Sequence, residues 1–155
     1  MTGPQDADLA LLLDEARIAR LVSRYASMVD WLDWPGMATL FTPDARFDFG
    51  PMFQGGLDGY IPFASALEEG YDRRLHLFGM PRIDVRGDRA RAECPSWIHA
   101  RTKGAEVHAD AVFAGRYVFD ARRTDAGWKL SRLAYYLGVL DVTHPPAADE
   151  APTNT

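Results

Sequence analysis

The sequence predicts an α+β fold in which a helical first half precedes a curved antiparallel sheet. Three observations carry that expectation. Apolar residues recur at helical spacing through residues 9–31, and the chain from residue 74 onward breaks into four β-rich runs. Short polar turns separate those runs, RGD at 86–88, TKG at 102–104 and TDAG at 124–127, as meander hairpins require.

In residues 9–31, Ile18, Leu21, Val22, Tyr25 and Val29 fall on one helical face, which predicts a long amphipathic helix carrying the Tyr25 hydroxyl on its apolar side. The helix breaks just after Asp30. Asp33 followed by Trp34 and Pro35 is a common way to restart a helix, here over 35–40. A short strand at 45–49, a glycine-rich turn through Gly55 and Gly56, and a third helix at 60–67 follow. The four β runs are 74–85, 89–102, 107–123 and 128–140. In Leu75, His76, Leu77, Phe78 and Met80 both strand faces are apolar, so one face is expected to meet the helices and the other a second copy of the chain. Residues 1–8 are read as a loose N-terminus, 9–143 as one domain and 144–155 as a disordered C-terminal tail with nothing apolar enough to pack.

A chain of 155 residues with 47% hydrophobic residues fits a single core. Four Trp, six Tyr and eight Phe are many large rings for that length and are suited to lining a ligand cavity. The formal charge of −5 and scattered basic residues argue against a nucleic-acid partner. The lone Cys94 excludes an internal disulfide, and no metal-ligand spacing is present. No basic start with an apolar run and cleavage site is seen, and no stretch approaches the ~20 apolar residues of a membrane span. The expectation is a cytoplasmic protein without a membrane partner.

The segment RYASMVDWLDWPGMATLFTPDARFDFG resembles the first helices and strand of SnoaL-like domains, and the likeness continues through RRLHLFGMPRIDV and RYVFDARRTDAGWKLSRL. It covers roughly residues 12–140. The resemblance implies the nuclear transport factor 2-like, cystatin-like roll, a cone-shaped curved antiparallel sheet packed on N-terminal helices. Within that superfamily, scytalone dehydratase, bile acid 7α-dehydratase and lindane dehydrochlorinase have an Asp ending the first helix and a His opening the first long strand. Asp30 and His76 occupy those places. By the same resemblance Tyr25 matches a substrate-polarising helix tyrosine, and His99, in WIHAR, matches a second histidine. One departure stands out: Phe49 replaces a tyrosine of the dehydratases, so a phenol that activates their substrate is missing. Ketosteroid isomerases share the RYxxxVDxxD helix, but their catalytic Asp would fall at or beside Phe49. Asp48 is one residue off and on the other strand face.

Elimination of water or HX beside an acidic C–H needs a base with a pKa near the working pH, which an ordinary histidine supplies. His76 is the candidate base. Asp30, bonded to its other ring nitrogen, would fix the tautomer and stabilise the imidazolium. Tyr25, His99, Phe49, Arg132, Tyr135 and Trp31 are candidate substrate-binding residues. Strand alternation allows only one of Tyr135 and Tyr136 into a cavity, without saying which. Each candidate also has a purely structural reading: Asp30 as a group bonding the helix break, His76 as a sheet histidine, Tyr25 and Trp31 as core, His99 as a rim residue. The expected function is that of a cofactor-free, metal-free lyase or isomerase acting on a small to medium apolar cyclic compound. The alternatives are a non-catalytic binding or accessory SnoaL-like protein, or a ketosteroid isomerase- or polyketide cyclase-like enzyme. Either way a homodimer or higher homo-oligomer is expected. The DFG at 48–50 lacks every other kinase element, and Cys94 between Glu93 and Pro95 reads as a small strand residue.

Overall fold

The computed structural model describes residues 4–104 and 109–143, and the tail at 144–155 lies outside them. Helix α1 (Pro4–Asp30) begins earlier than its apolar periodicity, so residues 4–8, expected to be loose, are helical. Its buried face is Ile18, Leu21, Val22, Tyr25, Ala26 and Val29. The helix stops because Leu32 adopts a left-handed conformation at φ 56°. The Leu32 N–H then donates to the Val29 carbonyl at 3.1 Å and Asp33 N–H to Met28 at 2.8 Å, which closes the end of α1 in a Schellman arrangement. Asp30 is thereby the last helical residue. Asp33 caps the short α2 (Trp34–Ala38), accepting from Gly36 N–H at 2.9 Å.

Strand β1 (Phe41–Asp48) is longer than expected, and the Gly55–Gly56 turn holds a three-residue strand, β2 (Gln54–Gly56). Helix α3 (Leu57–Glu68) follows. The first β run is two strands, β3 (Tyr71–Phe78) and β4 (Arg82–Arg86), broken at Gly79 to Pro81, and both pair with β5 (Arg89–Thr102) at different points along it. Strands β6 (Asp110–Thr124) and β7 (Gly127–Thr143) complete the meander, with Gly127 at φ 94° in the final hairpin, where a side chain would be strained.

The sheet order is β2-β1-β7-β6-β5-β3, with β4 beside β5. The expectation of an all-antiparallel sheet is corrected at one pair, because β1 runs parallel to β7. Register shifts in β6–β7 at Ala114/Gly115 and Asp120/Ala121 add the twist that curves the sheet around the helices. On the concave side β5 turns Ala90, Ala92, Cys94, Ser96, Ile98 and Ala100 inward. These mostly small residues leave room for α1 and for the rings of Tyr25, Phe47, Tyr60, Tyr117 and Phe119. Gly115 is required by close approach: a Cβ there would lie 2.4 Å from the Tyr136 carbonyl and 2.9 Å from the Tyr135 hydroxyl. Among the described residues no helix is long and apolar enough to cross a membrane.

Candidate active site

The end of α1 and the middle of β3 bring Asp30 and His76 together. The backbone N–H of His76 donates to both oxygens of the Asp30 carboxylate, at 3.0 and 3.1 Å, and its ring Nδ1 lies 2.7 Å from Oδ1. A carboxylate only accepts, so in the neutral imidazole Nδ1 carries the hydrogen and Nε2 the lone pair. No described residue bonds Nε2. The imidazole is nearly covered, its side chain 4% exposed, while Asp30 retains 16%.

His76 lines a pocket enclosed by α1, α3 and the concave sheet. Its walls are rings and aliphatic groups, among them Phe49, Phe63, Ile98, Phe113 and Tyr135, and Met52 and Leu67 are half-exposed beside them. The cavity is about 90 Å³. That is below the ~150 Å³ of a cavity that holds benzene, so a one-ring ligand would have to displace lining side chains such as the half-exposed Met52 and Leu67.

Three phenols meet in this pocket. The Tyr25 and Tyr60 hydroxyls are 2.6 Å apart, and the Tyr25 hydroxyl also interacts with that of Tyr117. Burial pushes all three well above the usual phenol range, so they remain protonated donors. Three hydroxyls sharing two contacts leave one O–H unused within the cluster. Tyr60 stacks on Phe49 with centroids 5.3 Å apart, so a phenol from α3 stands next to the position where Phe49 lacks one.

The structure thus places Tyr25, Phe49 and Tyr135 at the pocket with His76, and it resolves the last strand: Tyr135 points inward and Tyr136 outward. Three expected substrate-binding residues do not reach the pocket. His99 sits on the outward-facing positions of β5 with Trp97 and Arg101, 3.4 Å from Asp110. Arg132 pairs with Asp48 at 3.4 Å and with Asp120 at 3.8 Å, away from the cavity. Trp31, 83% exposed, lies outside the ring-lined pocket and outside the core; together with Asp30 and His76 it lines a separate groove between α1 and β3. Asp48, the isomerase-type position, is likewise outside the pocket and accepts from Gly50 N–H at 3.1 Å.

Sequence reading did not single out Tyr60, Tyr117 or Glu68. Glu68, at the end of α3, is a buried carboxylate on the pocket wall. Its signal was an acid at a helix C-terminus, where the dipole disfavours it. Among the described residues no group of three His, Cys, Asp or Glu gathers as a metal site.

A helix-closed curved sheet around a ring-lined pocket, with a carboxylate-bound imidazole at its wall, defines a class of small α+β pocket proteins. The chain belongs to the SnoaL-like domain family, whose model matches residues 10–134. No curated protein sequence matches it. Among solved structures it is similar to a nuclear transport factor 2-like protein with a cystatin-like fold from Novosphingobium aromaticivorans, at 27% identity and TM-score 0.69, over 88% of this chain and 91% of that one. It is also similar to a proposed scytalone dehydratase from the same species, at 22% identity and TM-score 0.75, covering 93% and 95%. The hexachlorocyclohexane dehydrochlorinase LinA-type3 from Novosphingobium barchaimii shares 19% identity at TM-score 0.79, covering 88% and 94%.

Proposed function

We propose that the chain is a cofactor-independent lyase of the dehydratase or dehydrohalogenase type, or an isomerase, acting on a small apolar cyclic compound. The observation that carries this reading is the 2.7 Å contact between His76 Nδ1 and Asp30 at the wall of an apolar pocket. Nε2 takes a proton from the ring carbon beside the leaving group. The C–H electron pair forms the new double bond as the leaving group departs with its own pair. Asp30 holds the imidazolium that results, and the hydroxyl left free in the tyrosine cluster donates to the oxygen on which charge develops. An apolar wall strengthens these interactions by lowering the local dielectric. The dehydrochlorinase and dehydratase neighbours support the same reaction class. The test is a turnover screen over one-ring compounds able to lose water or HX. His76→Ala is expected to lower turnover of a hit by about 10²- to 10⁴-fold, and unchanged turnover would end the enzymatic reading.

A second part of the proposal is self-association through the outer sheet face. Leu77, Trp97, Ala114 and Val139 lie in one row across β3, β5, β6 and β7. Leu77, Trp97 and Val139 are each more than half exposed, at 54%, 52% and 58%. Contiguous exposed apolar area of this kind marks an interaction surface, and a second copy of the same face is its natural complement.

A further inference from the structure

Glu68 is the one carboxylate that the described residues place on the pocket wall, and the proton transfer proposed above does not use it. The residue is 9% exposed. Its Oε2 lies 2.8 Å from Arg74 Nε, and Arg74 Nη2 donates to the carbonyls of Glu68 and Tyr71 at 3.0 and 2.6 Å. Through those two carbonyls the guanidinium ties the end of α3 to the start of β3, and it stands beside the carboxylate as its ion-pair partner. Arg74 itself does not line the pocket, so the cavity meets the acid and not the base. No described residue donates to Oε1.

Placing an acid here breaks two local rules. Burial opposes a carboxylate, and the C-terminal end of a helix opposes it again. A leucine would satisfy both the helix and the apolar wall without needing a buried arginine to balance its charge. The charged and titratable groups around it come from every packed element: Asp30 from α1 behind His76, Tyr60 from α3, Tyr71, Arg74 and His76 from β3, and Tyr117 from β6. Arg74 already compensates the charge of Glu68, while the acceptor capacity of Oε1 stays open. The matching ligand group is a neutral donor. A ligand carboxylate meets repulsion, and an ammonium would have to shed its water beside Arg74.

We infer that Glu68 is a ligand-recognition residue: Oε1 accepts a hydrogen bond from a hydroxyl on the bound ring, and the carboxylate excludes rings that carry an acid. This rests on the reading that the pocket takes a one-ring compound, but not on any turnover. It narrows that reading to hydroxylated rings, in preference to purely halogenated hydrocarbons.

The test compares three probes of similar shape, 4-methylphenol, 1,4-dimethylbenzene and 4-methylbenzoate, with dissociation constants from NMR titration at neutral pH. A purely apolar cavity favours the dimethylbenzene. The wild-type chain is expected to favour 4-methylphenol over both others by about tenfold, the worth of one buried hydrogen bond. Glu68→Gln is expected to reduce that preference at least fivefold. Because a lone Arg74 can impair folding, the double variant Glu68→Leu, Arg74→Met removes the pair together, which well-packed apolar replacements tolerate. It is expected to bind the dimethylbenzene most tightly, and that binding certifies the fold. An unchanged phenol preference in both variants, or tighter binding of 4-methylbenzylamine than of 4-methylphenol to the wild type, overturns the inference alone. If the wild type binds none of the rings, the pocket reading falls with it.

Discussion

His76 offers two donors to one carboxylate, its own N–H and its Nδ1–H, so Asp30 fixes both the strand and the ring of the same residue. Asp30→Asn keeps an acceptor for the backbone N–H but turns an amide NH₂ toward the ring. The imidazole then has to accept at Nδ1 and carry its hydrogen on Nε2, which removes the base. Turnover is expected to fall by about 10²- to 10⁴-fold with ligand affinity little changed, as steady-state kinetics and titration would show. Cys94 is fully buried, and burial beside Glu93 pushes its thiol up to about 11. It should resist iodoacetamide at pH 8 in the native protein and react once denatured, as mass spectrometry can follow. The Asp30 position was legible because a helix end is a local feature, and the family pattern marks both Asp30 and His76, although β3 begins at Tyr71 and His76 lies well inside it. His99 was misplaced because alternation sorts β5 into two faces without saying which is concave. Glu68 sits in EEG, a run that reads as a solvated helix end, and only the tertiary fold buries it.

At the scale of elements, Asp14 pins α1 to the last hairpin. It accepts from Trp128 Nε1 at 2.9 Å and pairs with Arg123, whose guanidinium lies 4.6 Å over the Trp128 ring. Asp14→Ala orphans a buried indole N–H and leaves Arg123 with Asp88 as its remaining carboxylate partner. The expected cost is about 2–3 kcal/mol by urea denaturation at neutral pH. The Arg123 hydrogen bond, with Trp128 and Arg17 assisting, lowers the Asp14 carboxyl from 3.8 to about 2. A depressed carboxyl contributes stability that is fully present above its unfolded value and is lost as pH falls through the folded one. Denaturation across pH 5 to 2 should therefore show a shallower acid slope for Asp14→Asn than for the wild type. The helices and the meander hairpins were readable from period and turn chemistry. The β1–β7 pairing was not, because a parallel pair between distant segments leaves no hairpin signal, and β2 is three residues in a glycine-rich stretch whose local chemistry says turn.

At the scale of the whole molecule, the two faces of the sheet divide the work. The concave face holds the pocket; the outer face carries Leu77, Trp97 and Val139 in register. Sedimentation velocity is expected to show a dimer, converted to monomer by Trp97→Glu with the circular dichroism unchanged; a wild-type monomer would contradict the proposed self-association. The apolar character of both faces was visible in the LHLF pattern of β3, whereas the small size of the cavity was not, since volume depends on how rings from α1, α3, β6 and β7 interlock. The proposed activity turns on one proton, the one on His76. The measurement is ¹⁵N NMR of the His76 imidazole in the neutral tautomer, assigned by comparison with His76→Gln. Hydrogen on Nδ1 and a bare Nε2, with the pattern reversed in Asp30→Asn, is the predicted result. Hydrogen on Nε2 in the wild-type protein would contradict the acid/base role of the pair.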